Sequence, residues 1–93
     1  MTMIHKLKLK EPYIEPVLSG EKTFEVREND RGFNKGDYIK FIPTHMNGDT
    51  YKDTELEVRT YEITYVHSGL GVKEGYCVFG IKECYKLMEE RPE

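Results

Sequence analysis

From Ser19 to Arg27 the chain reads Ser-Gly-Glu-Lys-Thr-Phe-Glu-Val-Arg, gathering a lysine, a threonine, a carboxylate and an arginine into one short span. Ammonium and guanidinium groups hold phosphates, a carboxylate accepts from a base amino group, and a lysine–carboxylate pair can act through water. On a strand, Thr23, Glu25 and Arg27 share one face while Phe24 and Val26 share the other. With Phe24 and Val26 turned to the core, the polar three form a row on a rigid support, beside Lys22. The plainer alternative is a solvated outer face whose Glu–Arg pair carries little energy.

The elements that must hold this span follow from periodicity and punctuation. His5, Leu7 and Leu9 alternate with Lys6, Lys8 and Lys10, which predicts a strand with one buried face and one lysine row. Glu11 to Gly20 predicts a short helix, with Pro12 in its first turn and Gly20 in the left-handed position after its end. Pro16 loosens its start, because it lacks the N–H that would bond back. Strands are expected at Lys22–Arg27, at Tyr38–Ile42 (ended by Pro43) and at Tyr76–Lys82, with Cys77, Phe79 and Ile81 on one side. A polar loop spans 28–35, and Asn47-Gly48-Asp49 marks a turn. Glu55–Val66 changes parity partway, which a bulge near Arg59–Thr60 would reconcile. Cys84 to Glu90 adds a helical turn or frays. Five or so strands with one early helix give a small α+β barrel, a single domain over residues 1–93.

Composition narrows the function. A third of the residues are charged and 38% hydrophobic, with seven Tyr and four Phe, a folded rather than disordered composition. The net charge of −3 argues against an indiscriminate polyanion binder. Residues 1–40 carry eight Lys/Arg against seven Asp/Glu, and residues 41–93 carry six against ten, so phosphate contact is expected from the first half. Two cysteines without Cys-x-x-Cys spacing, three scattered histidines, and no leader or apolar span predict a cytoplasmic protein with free thiols, no metal, no cofactor and no membrane partner.

Gly20-x-Lys22-x-x-Glu25, between a short helix and Val26-Arg27, resembles the Gly-x-Lys-x-x-Glu signature of the ASCH superfamily. Further blocks agree in order: His5 to Lys8, Val17 to Arg27, Asn29 to Phe33, Gly36-Asp37 and Lys73 to Tyr76. Together they are similar to a small ASCH-like branch common in bacteria and phages, over roughly residues 4–82. The resemblance implies a PUA-like mixed β-barrel whose signature cleft binds RNA or nucleotides. It also implies an alternative, since some small members are amidohydrolases acting on acylated cytidine.

The expected binding residues are Lys22, Thr23, Glu25, Arg27, Arg31, Lys8 and Tyr76. Lys22 would contact phosphate or a carbonyl, Glu25 would orient a base, and Arg27 would hold Glu25 or the ligand. Arg31 and Lys8 would widen the positive rim, and Tyr76 or Phe33 would stack on a base. The duller readings are a solvent face for the lysine row, a loop anchor for Phe33 and a core position for Tyr76. As a hydrolase, the chain would use Lys22 and Glu25. The amidohydrolase members place a threonine nucleophile three residues after the lysine, where this chain has Glu25, and Thr23 adjoins Lys22 instead. A third reading is a protein-interaction module presenting an apolar patch of Val72, Tyr76 and Tyr85.

Overall fold

A computed structural model describes residues 2–84. Its elements run β1 (Ile4–Lys10), α1 (Glu11–Ser19), β2 (Phe24–Glu28), β3 (Tyr38–Thr44), α2 (Thr54–Glu57), β4 (Tyr61–His67) and β5 (Tyr76–Glu83). The strands form one sheet in the order β1-β3-β4-β5-β2. β1 runs parallel to β3, with Leu7 opposite Phe41, and the remaining pairs are antiparallel. α1 and β2 lie in the connection between β1 and β3, as a parallel pair requires.

The small α+β fold expected from the sequence is present, but among the described residues the sheet curls only into a half-barrel, and a second short helix joins the one expected. β1 and β2 are both edge strands and no ladder joins them. Arginine side chains cross the gap instead. Arg27 Nη2 donates to the Lys8 carbonyl at 2.7 Å and Arg31 Nη1 to the Lys6 carbonyl at 2.8 Å. A side chain spans more than the 4.7–4.9 Å of a strand pair, so the barrel stays open along this line.

Alternation in β1 turns His5, Leu7 and Leu9 inward and the lysines outward. Leu7 and Leu9 pack with Ile39 and Phe41 of β3, Ile63 of β4, and Cys77, Phe79 and Ile81 of β5. α1 adds Ile14 and Val17, which cover the core from one side. Each such aliphatic or aromatic side chain contributes roughly 1.5–3 kcal/mol on burial. α1 carries Pro12 at its start and Pro16 inside, and Gly20 ends it at φ 84°, a left-handed backbone that glycine adopts without penalty.

Three local expectations are corrected. β3 runs through Pro43 to Thr44, because β4 pairs with β3 only at Tyr38 and Ile39, leaving no partner to miss the proline N–H. The parity change after Glu55 comes from α2: Asp53 caps it by accepting from Leu56 N at 3.1 Å, and Leu56 is buried. The bulge falls between Ile63 and Tyr65, beside Gly80, where an added Cβ would stand 2.5 Å from Thr64 Oγ1. The expected turn from Cys84 to Glu90, and Tyr85 of the proposed apolar patch, lie outside the described residues beyond Cys84.

One polar pair is built into the core. His5 donates from Nε2 to Asp37 Oδ2 at 2.9 Å, both residues are buried, and His5 packs edge-on against Phe33. Asp37 also accepts from Met3 N and Asn34 N, so one carboxylate fastens β1 and the loop before β3. Burial pushes the Asp37 carboxyl up, but these hydrogen bonds and the His5 charge outweigh it and hold it below its usual 3.8. A carboxyl lowered on folding stabilises the protein above its unfolded pKa, and that contribution disappears as pH falls through the folded value. Asp37→Asn is therefore expected to lose about 1–3 kcal/mol at neutral pH. In urea unfolding, the gap from wild type should narrow as pH drops below 3.8. A gap that is constant down to strong acid would refute this account.

Candidate functional site

β2 is inside out. Phe24 and Val26 are 45% and 55% exposed, whereas Glu25 is 4% exposed. Alternation is therefore kept but the faces are exchanged relative to the expectation from hydrophobicity. A buried carboxylate must be paired to be tolerated. Here both oxygens are taken: Lys22 Nζ donates to Oε2, and Arg27 Nε donates to Oε1 at 3.0 Å. Arg27 also holds the Lys8 carbonyl, so a single guanidinium ties Glu25 to the free edge of β1.

Lys22 is placed by the helix end. The left-handed Gly20 turns the chain back, and the Lys22 backbone N–H donates to the Pro16 carbonyl at 2.9 Å. Its ammonium then donates to the Phe24 carbonyl at 2.8 Å and stands 5.2 Å from the Tyr13 ring centroid and 5.0 Å from that of Phe24. Aromatic faces attract a cation at this range. The glycine, lysine and glutamate of the signature are thus one device: the glycine redirects the chain, and the lysine reaches the buried carboxylate.

Above this trio opens a cleft of about 460 Å³ between the end of β1, the first turn of α1 and β2. Its wall carries four cations, Lys8, Lys10, Lys22 and Arg27, against the single carboxylate of Glu25. Tyr13 and Phe24, both about half exposed, supply aromatic faces at its mouth. A locally cationic cleft thus sits on a chain of net charge −3. The arrangement can accept an anionic group and a flat ring together.

A family model for a domain of unknown function, DUF3850, matches residues 4–81. The chain belongs to this family. No curated protein matches the sequence significantly. The matched span in this DUF3850 domain includes β1, α1, β2 and therefore the entire cleft.

Lys22, Glu25, Arg27 and Lys8 come together in the DUF3850 cleft, and three other expected site residues do not line it. Thr23 is exposed just before β2, in a smaller hollow of about 270 Å³ with Arg59 and Lys82. Its carbonyl accepts from Ile81 N, so its backbone serves the sheet. Tyr76 lies on the outer surface with Val26, Val72 and Val78, under the Lys73 ammonium. Arg31 is anchored through Nη1 on the Lys6 carbonyl and lies beyond the cleft along β1. Phe33 is buried between His5 and Phe79, which is the loop-anchor reading.

Tyr13, Lys10 and Phe24 line the cleft although sequence reasoning did not select them. Lys10 and Tyr13 flank the junction of β1 and α1, and that junction was legible as a strand meeting a proline-started helix. Phe24 had no such signal, because its hydrophobicity points to the core. Among the described residues no group of three His, Cys, Asp or Glu side chains forms a metal site, and no helix is long and apolar enough to cross a membrane.

Proposed function

We propose that this DUF3850 domain is an ASCH-type, PUA-like module that binds RNA or a nucleotide-like ligand in the cleft between β1 and β2. The observation that carries the reading is the inverted strand: Glu25 is buried between Lys22 and Arg27 while Phe24 is turned out to the cleft mouth. Lys22 and Arg27 meet the phosphate or a base carbonyl. The unused lone pairs of Glu25 accept from an exocyclic amino group, as carboxylates do from cytosine. Tyr13 and Phe24 offer the stacking surface by which unpaired bases are held.

Binding is favoured over amide hydrolysis by the lining itself. It includes no Ser, Thr or Cys side chain, and Thr23 lies in the other hollow. The test is calorimetric titration with cytidine and uridine monophosphates, with acylated cytidine incubated in parallel and followed by chromatography. Binding of CMP in preference to UMP, without release of cytidine from the acylated nucleoside, is the expected result. Release of cytidine that Lys22→Ala abolishes would replace this reading with the hydrolase.

A further inference from the structure

We infer that the free edge of β1 is a track for the sugar–phosphate backbone of a single-stranded nucleic acid, so that the domain takes an oligonucleotide and not only a nucleotide. The inference rests on reading the cleft as a nucleotide site and extends it beyond the cleft wall. Two rows of cations run along this edge in step. The first row is Lys10, Lys8 and Lys6, all exposed on one face of β1. Alternate strand residues lie about 6.6 Å apart, which is comparable with the phosphate spacing of an extended single strand.

The second row is set by the backbone of the first. Arg27 is anchored on the Lys8 carbonyl and Arg31 on the Lys6 carbonyl, two residues further along. Lys8 with Arg27 and Lys6 with Arg31 therefore make two successive cationic rungs with the period of the strand. Each arginine keeps a terminal nitrogen without a partner among the described residues, Nη1 of Arg27 and Nη2 of Arg31. Asp30 stands 3.9 Å from Arg31 Nε on the second rung and is well exposed. Because the first rung forms the cleft wall and the second stands outside it, a nucleotide seated in the cleft leads its neighbour's phosphate onto Lys6 and Arg31. β1 has no strand partner on this side, so nothing in the sheet obstructs the path.

The test compares CMP with a fluorescein-labelled hexacytidylate on the 93-residue chain, by calorimetry and by anisotropy over a series of salt concentrations. The hexamer should bind more tightly than CMP. Its affinity should fall with a log–log salt slope of about −0.7 for each phosphate held, so two rungs lose about sevenfold over a fourfold rise in salt. Lys6→Ala with Arg31→Ala should leave CMP affinity unchanged and make the hexamer slope shallower by roughly 0.7. Lys6→Glu alone keeps the Arg31 anchor on β1 and should weaken the hexamer in the same sense. A hexamer that binds no tighter than CMP, or a slope unmoved by the double substitution, would overturn the track while the cleft reading stands. Failure of both CMP and hexamer to bind the unmodified chain would remove both readings.

Discussion

Glu25→Gln is expected to lower stability by about 2–3 kcal/mol, the range for a lost hydrogen-bonded charge pair. In a domain of this size that is a fall in melting temperature on the order of 10–20 °C. The glutamine keeps the shape of the side chain but turns one amide N–H₂ toward a cation that had a carboxylate oxygen. Lys22 and Arg27, both only partly exposed, then face each other across a position without negative charge. Their partial access to water keeps the loss below the full cost of breaking a fully buried pair. The same substitution should erase the preference for cytidine over uridine, since an amide can offer either a donor or an acceptor. Thermal unfolding followed by circular dichroism reads the first effect and calorimetry the second. An unchanged melting temperature would show that Glu25 is solvated and not the keystone of β2.

Lys22→Ala separates binding from folding. Glu25 retains its bond to Arg27, and Lys22 keeps its backbone bond to Pro16 whatever its side chain, so stability should fall by no more than about 1–2 kcal/mol. Ligand affinity should fall much further. A charge-assisted hydrogen bond to a phosphate or carbonyl is worth about 1.5–3 kcal/mol, or roughly a 10- to 100-fold loss in affinity for CMP. Lys22→Arg should not restore it. The planar guanidinium cannot reproduce a compact ammonium held between the Phe24 carbonyl, the Glu25 carboxylate and the two aromatic rings. Equal affinities for the wild-type and Lys22→Ala proteins would remove the lysine from the site.

The parts of this molecule legible in the sequence are those where a local signal and the tertiary environment agree. β1 alternates apolar and lysine residues, and its apolar face is the core face. α1 is bounded by Pro12 and Gly20, each in the conformation its chemistry favours. β5 places Cys77, Phe79 and Ile81 inward as expected. In β2 the alternation correctly groups Glu25 with Arg27, but periodicity alone does not say which group faces in. Hydrophobicity points the wrong way because Lys22, three residues before Glu25, and Arg27, two after it, make burial of the carboxylate tolerable. That compensation is local, whereas the contact of Arg27 with β1, which fixes the face that turns inward, is tertiary.

Other misses have equally local causes. The parity change after Glu55 suggests a bulge in the sequence because a four-residue helix and a strand irregularity leave the same trace in an alternating pattern. Asp53 as a helix cap was the signal that separates them. Position in the motif selects Thr23, yet Thr23 precedes β2, where strand alternation does not govern direction, and it lies in the hollow with Arg59 and Lys82. Tyr76 shares its surface with Val26 because β2 and β5 pair antiparallel, with Val26 opposite Val78 and Glu28 opposite Tyr76. Only the strand order makes that visible. The open barrel likewise depends on two arginines reaching across a gap, which no periodicity encodes.

The most direct test of the nucleotide cleft is an amide chemical-shift titration of isotopically labelled protein with CMP. The account predicts shifts concentrated at Lys22, Glu25, Arg27, Lys8 and Tyr13, with Thr23 and Tyr76 moving little. Shifts clustered at Thr23, Arg59 and Lys82, or no shifts at millimolar CMP, would contradict it.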